Sequence, residues 1–172
     1  MTQAAARART GYDAMIGLGS NVGDKAANIR QAIGLLTEAG DIRVVRASRL
    51  YRTAPWGVTD QDWFVNACIA VVTDLSPEAL LARCLGVEQE MKRVRETRWG
   101  PRIIDVDVLT YRHETRDTPE LILPHPRVVE RAFVLVPLIE IAPDLEIAGH
   151  PLAHWLSRLD ASDVVPFEET RA

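Results

Sequence analysis

The chain has 172 residues, 47% of them hydrophobic and 26% charged, with a formal net charge of −4. That length suits one domain with a real interior, and the acidic balance argues against bulk electrostatic binding to nucleic acid. No apolar run reaches about 18 residues, so no membrane span is expected, and the two cysteines, Cys68 and Cys84, make neither a disulfide framework nor a metal-ligand set. Both lie in apolar stretches, as buried thiols of a reducing, cytoplasmic compartment do.

The first residues are small and basic and lack the apolar core of a signal peptide. Residues 1–12 are expected to be a disordered leader, and 13–172 a single domain. Ala14 to Leu18 predicts a short strand ending in Gly19-Ser20-Asn21. A helix follows, with Asp24 as N-cap and Ile29, Ala32, Ile33 and Leu36 at i, i+3, i+4 and i+7. Ile42 to Tyr51 reads as a strand with polar interruptions. Thr53 to Asp62 carries Pro55 and Gly57 and reads as a loop. Phe64 to Val72 is a β-branched, apolar strand.

Ser76-Pro77 opens the next helix in the favoured N-cap and N1 arrangement. Leu80, Cys84, Val87 and Met91 line its buried stripe. Glu88 falls on the flank shared with Leu81 and Leu85, where it can face the edge of a sheet.

The stretch from Arg98 to Leu109 carries the chemistry: Arg98-Trp99-Gly100-Pro101-Arg102-Ile103-Ile104-Asp105-Val106-Asp107-Val108-Leu109. In a strand, side chains at i and i+2 share a face, roughly 6.5–7 Å apart. Asp105 and Asp107 therefore point one way, while Ile104, Val106 and Val108 can enter a core. Two like charges on an apolar strand repel and resist burial unless a cation sits between them. An isolated Asp-x-Asp is more often the solvated face of an edge strand. Here Arg93, Arg95, Arg98 and Arg102 lie just upstream, a density suited to polyphosphate. Oxygen-only ligands beside arginines favour Mg²⁺ carrying an anionic phosphate.

A polar turn from Arg112 to Pro119 precedes Leu121 to Leu123 and then Pro124-His125-Pro126. Two short elements, Arg131 to Val136 and Pro137 to Ile141, and a helix-like piece at Leu152 to Leu159 complete the pattern. Strands joined partly by hairpins and partly by helices predict an α+β sandwich with helices packed on the sheet.

Together, Gly19-Ser20-Asn21, Tyr51-Arg52-Thr53, Phe64-Val65-Asn66-Ala67, the Arg93-to-Asp107 segment and Pro124-His125-Pro126-Arg127 resemble the 6-hydroxymethyl-7,8-dihydropterin pyrophosphokinases of the folate pathway. The resemblance runs from about Ala14 to Leu145. It implies a ferredoxin-like fold with a mostly antiparallel central sheet. It also implies transfer of pyrophosphate from ATP to the hydroxymethyl group of 6-hydroxymethyl-7,8-dihydropterin, releasing AMP. By the same resemblance, Asp105 and Asp107 hold two Mg²⁺ ions, and Arg93 and Arg102 reach the phosphates as a loop closes. Glu88, Arg95, Arg98, Trp99, Val108, His125 and Arg131 are implied for ATP. Thr53, Ala54, Trp56, Phe64, Asn66, Trp99 and Phe133 are implied for the pterin, with Phe64 and Phe133 able to sandwich its ring.

Leu85, Ala54, Trp56 and Pro126 depart from residues common in the family. The implied partners are small molecules, with no nucleic acid or membrane, and a monomer is the default. Two other classes remain open on the residues alone. A ferredoxin-like layout also serves regulatory and RNA-binding modules, and a phosphotransferase could act on another hydroxylated substrate. No residue presents itself as general base for the hydroxymethyl proton.

Overall fold

The computed structural model describes residues 2–55, 61–91 and 103–169. Helix α1, Gln3–Thr10, is capped by Thr2 and closed by Gly11, whose φ of 79° suits a residue without a side chain. This helix lies within the stretch expected to be a disordered leader. What holds α1 is electrostatic and nonlocal: Arg7 pairs with Asp13 and Asp74.

Strand β1, Ala14–Ser20, leads to α2, Lys25–Thr37, where Asp24 Oδ1 accepts the Ala27 N–H at 3.0 Å. The single strand expected from Ile42 to Tyr51 is two, β2 at Ile42–Ala47 and β3 at Tyr51–Thr53, with a register shift between Val44 and Arg46. Both pair with the ten-residue β4, Phe64–Thr73. Helix α3, Pro77–Glu90, starts where Ser76 Oγ accepts the Ala79 N–H at 3.1 Å, and the expected stripe Leu80, Cys84, Val87 and Met91 is buried. Strand β5 is Asp105–Tyr111.

The polar turn is closed by a small hairpin of β6, Arg116–Asp117, and β7, Ile122–Leu123. After a 3-10 turn at Val128–Glu130, the two pieces expected on either side of Pro137 form one helix, α4, Ala132–Ile141. An interior proline costs about 3 kcal/mol. Burial of Leu135, Leu138 and Ile141 against the sheet offsets it. Hairpin β8, Glu146–Ile147, and β9, His150–Pro151, leads to α5, which stops at Leu156 and not Leu159. The tail then adds β10, Val165–Pro166, to the outer edge of β3.

The six-stranded sheet runs β10-β3-β4-β1-β5, with β2 alongside β4, and all its described pairings are antiparallel. Taking β2 and β3 as one interrupted strand, the chain order is βαββαβ, the ferredoxin-like layout. Period-two alternation separates two cores. Ile16, Leu18, Ile69, Val106 and Val108 face α2 and α3. Met15, Cys68, Ala70 and Leu109 face α4 and α5. Leu109 shares this second face with Asp105 and Asp107 by alternation, and the bulge between Met15 and Ile16 in the β1–β5 register lets Tyr111 join the first core.

Candidate active site

The second face of the sheet is not fully covered by α4 and α5. Beside α4 lies a cleft of about 340 Å³ floored by β1, β4 and β5. Gly17 and Gly19 of β1 contribute bare backbone there, between Cys68 and Asn66 of β4 on one side and Asp107 and Asp105 of β5 on the other. At Gly19 the missing side chain is a requirement, since a Cβ would stand 2.6 Å from Asn66 Oδ1. Asn66 is 8% exposed, and its Nδ2 donates to Thr53 Oγ1 at 2.7 Å. That bond answers the burial of the amide, which would otherwise cost about 1–3 kcal/mol. Phe64, Ala54 and, from α4, Phe133 complete this apolar end.

The other end is charged. Asp105 and Asp107 line the cleft from one face of β5, as their spacing predicts. His125, Arg127 and Arg131 face them from the loop and turn before α4. The His125 N–H donates to Leu109 O at 2.8 Å, and its Nδ1 accepts the Arg127 N–H at 3.2 Å. Nε2 is then the protonated nitrogen. Burial, with Arg131 and Arg127 adding repulsion, lowers the His125 pKa to about 4. The ring is a neutral donor at neutral pH. Arg131 is lowered from its ordinary value by burial, against the attraction of Asp107 and Asp105. Its guanidinium also lies 5.7 Å from the Phe133 ring centroid, linking the charged and apolar ends.

Nine of the residues expected at the site thus line one cleft: Thr53, Ala54, Phe64, Asn66, Asp105, Asp107, His125, Arg131 and Phe133. Two do not. Val108 is 3% exposed in the core beneath α2 and α3, because its place on β5 turns its side chain away from the aspartates. Glu88 is buried under β5 and its Oε1 accepts the Val106 N–H at 2.9 Å, away from the cleft lining. Trp56, Arg93, Arg95, Arg98, Trp99 and Arg102 lie outside the described residues. The cleft also uses Gly17, Cys68, Leu109 and Arg127, which sequence reasoning did not single out. The Gly-x-Gly spacing inside an apolar strand was an available signal for a bare floor.

Among the described residues no three His, Cys, Asp or Glu side chains gather in a metal cage. Two carboxylates on one strand are a different kind of site. Mg²⁺ keeps several waters and is often held by one or two carboxylates plus substrate phosphates, so the donor set fits it.

The fold is that of a ferredoxin-like domain, and its cleft holds two carboxylates at one end and an amide with two phenylalanines at the other. The family model described as 7,8-dihydro-6-hydroxymethylpterin-pyrophosphokinase matches residues 15–143, and the chain belongs to that family. It is 54% identical over 151 residues to the 2-amino-4-hydroxy-6-hydroxymethyldihydropteridine pyrophosphokinase of Methylorubrum extorquens, covering 88% of this chain and 96% of that one. The protein of the same name from Bacillus subtilis is 44% identical over 133 residues, covering 77% of this chain and 80% of the relative. In fold, the chain is similar to the crystal structure of Plasmodium falciparum HPPK-DHPS with pteroate, at a TM-score of 0.68 and 15% identity. That match covers 86% of this chain and 42% of the longer one.

Proposed function

We propose that this chain transfers the β,γ-pyrophosphoryl group of ATP to the hydroxymethyl oxygen of 6-hydroxymethyl-7,8-dihydropterin, releasing AMP, in folate biosynthesis. Family membership supports the reaction. The observation that carries it to these residues is the single cleft with paired carboxylates at one end and the Asn66–Thr53 amide site at the other. A new bond forms between the hydroxymethyl oxygen and the β-phosphorus, the bond from that phosphorus to the AMP oxygen breaks, and the hydroxyl proton leaves to solvent or phosphate.

In this reading Asn66 and Thr53 bind the amino-pyrimidinone edge, which both donates and accepts. Phe64 and Phe133 flank the ring plane. Asp105 and Asp107 would hold two Mg²⁺ ions, whose positive charge would offset the negative charge of the triphosphate. Arg131 and the neutral His125 donate to phosphate oxygens, and the charge that builds there in the transition state strengthens both bonds. Arg93 and Arg102 are assigned to the reacting phosphates, and Arg95, Arg98 and Trp99 to ATP, with Trp99 and Trp56 also at the pterin. The two reduced, buried cysteines support a cytoplasmic setting; a monomer is the working assembly.

Incubation with ATP, Mg²⁺ and the hydroxymethyl-dihydropterin should yield AMP, and appearance of ADP would replace this reading with ordinary kinase chemistry. Asp107→Ala should keep the fold and lose nearly all transfer. Wild-type turnover of that variant in saturating Mg²⁺ would remove the metal assignment.

A further inference from the structure

Two acidic side chains are buried among the described residues, Asp13 and Glu88. Asp13 is answered by Arg7 and Arg112. Glu88 is 5% exposed, lies outside the cleft lining, and directs Oε1 at the backbone N–H of Val106 at 2.9 Å. That amide belongs to the peptide joining Asp105 to Val106, and Val106 is the residue between the two aspartates. Strand β5 ends the sheet and pairs only with β1 among the described strands. Amides on its outer side have no ladder partner, and a buried one must be satisfied some other way. Glu88 takes this role, from a helix fixed in the core through Leu80, Cys84 and Val87.

We infer that Glu88 is a positioning residue for the Asp105–Asp107 pair, holding the peptide between them so that both carboxylates keep one face. The inference rests on the proposed metal-dependent transfer. It differs from the family resemblance, which implies Glu88 for ATP. The physical logic is that of an outer-shell partner: a rotation about the Val106 peptide would swing both aspartates, whereas a carboxylate oxygen on its N–H, a charge-assisted bond, resists that rotation. Glutamine can supply the same acceptor without charge. Aspartate, one methylene shorter, withdraws it.

The test compares wild type, Glu88→Gln, Glu88→Asp and Glu88→Ala by electron paramagnetic resonance titration of Mn²⁺, a stand-in for Mg²⁺, with α,β-methylene-ATP bound. Nucleotide affinity without metal and exchange of the Val106 amide by NMR accompany it. Glu88→Asp and Glu88→Ala should weaken Mn²⁺ by about tenfold or more, with metal-free nucleotide affinity unchanged within about twofold and faster Val106 exchange. Glu88→Gln should recover Mn²⁺ affinity to within about twofold to threefold. An equal fall in metal-free nucleotide affinity would make Glu88 a nucleotide ligand and overturn the inference. So would Mn²⁺ affinity unmoved in Glu88→Asp, or Glu88→Gln as weak as Glu88→Asp. If Glu88→Ala does not fold, the Gln and Asp variants decide. None of these readouts needs turnover, so ADP in place of AMP would sink the proposed reaction and leave the Glu88 comparison standing. Wild type that binds no Mn²⁺ would sink both.

Discussion

Gly19 shows how a residue with no side chain can shape a binding site. Its α-carbon faces Asn66, and a methyl group there would meet Oδ1 at 2.6 Å. Gly19→Ala should push the amide off Thr53, and losing that bond, at about 1–3 kcal/mol, weakens pterin binding by roughly tenfold or more. Calorimetry with the pterin, alongside an unchanged circular dichroism spectrum, reads this directly. Undiminished affinity would mean that the amide relocates without cost. The amide's unease in an apolar strand was visible in the sequence, but its partner was not, because Thr53 reaches it only through the β3–β4 register.

His125 carries a second prediction at this scale. Its pKa is about 4 in the fold against 6.5 for a free histidine. Between those values the unfolded chain binds the extra proton, so stability is full above pH 6.5 and declines as pH falls towards 4. Urea unfolding at pH 7.5 and pH 5 should show a smaller acid loss in His125→Gln than in wild type. Identical losses would assign the acid sensitivity elsewhere.

Elements are held where their caps and stripes say, and joined by contacts that no local pattern reveals. Asp24 and Ser76 start their helices as expected, and the α3 stripe is buried residue for residue. The shared face of the β5 aspartates was legible because period-two alternation leaves little choice. Helix α1 was not, since its small, basic composition shows no apolar stripe and its anchors lie elsewhere. Asp13 is fully buried and receives Arg7 from α1, Arg112 after β5 and the Thr73 N–H at the end of β4. Burial works against its charge, yet those three partners hold its pKa below the ordinary carboxylate value.

Removing Asp13 strands Arg112, whose side chain is 5% exposed. Asp13→Ala should therefore cost about 3–5 kcal/mol in denaturant unfolding. Arg7→Ala, at a site 34% exposed, should cost less than about 1 kcal/mol. Equal costs would show that α1 docking, and not the buried Arg112 pair, dominates this corner.

At the level of the whole molecule, the sheet separates the two ends of the reaction. In the order β10-β3-β4-β1-β5, two strands, β4 and β1, lie between Thr53 on β3 and the aspartates on β5. The βαββαβ order was readable from helix and strand signals alone, whereas the return of the tail was not, because Val165-Pro166 is too short to announce a strand. The family match ends at residue 143, yet β10 pairs Val165 with Arg52 and Pro166 with Tyr51, and the Phe167 N–H donates to Leu50 O at 2.9 Å. Phe167 packs on the main core, and Glu169 pairs with Arg30 of α2. The tail thus braces the strand that carries Thr53, at the opposite side of the sheet from the strand that carries Asp105 and Asp107. Truncation from Val165 onward exposes the β3 edge and removes a half-buried phenylalanine, for about 1–3 kcal/mol of stability. Pterin affinity should fall severalfold, while Mn²⁺ affinity in the presence of α,β-methylene-ATP should hold. A parallel loss of both would mean that the sheet transmits the disturbance across its full width, and no loss of either would mean that β3 keeps its geometry without a neighbour.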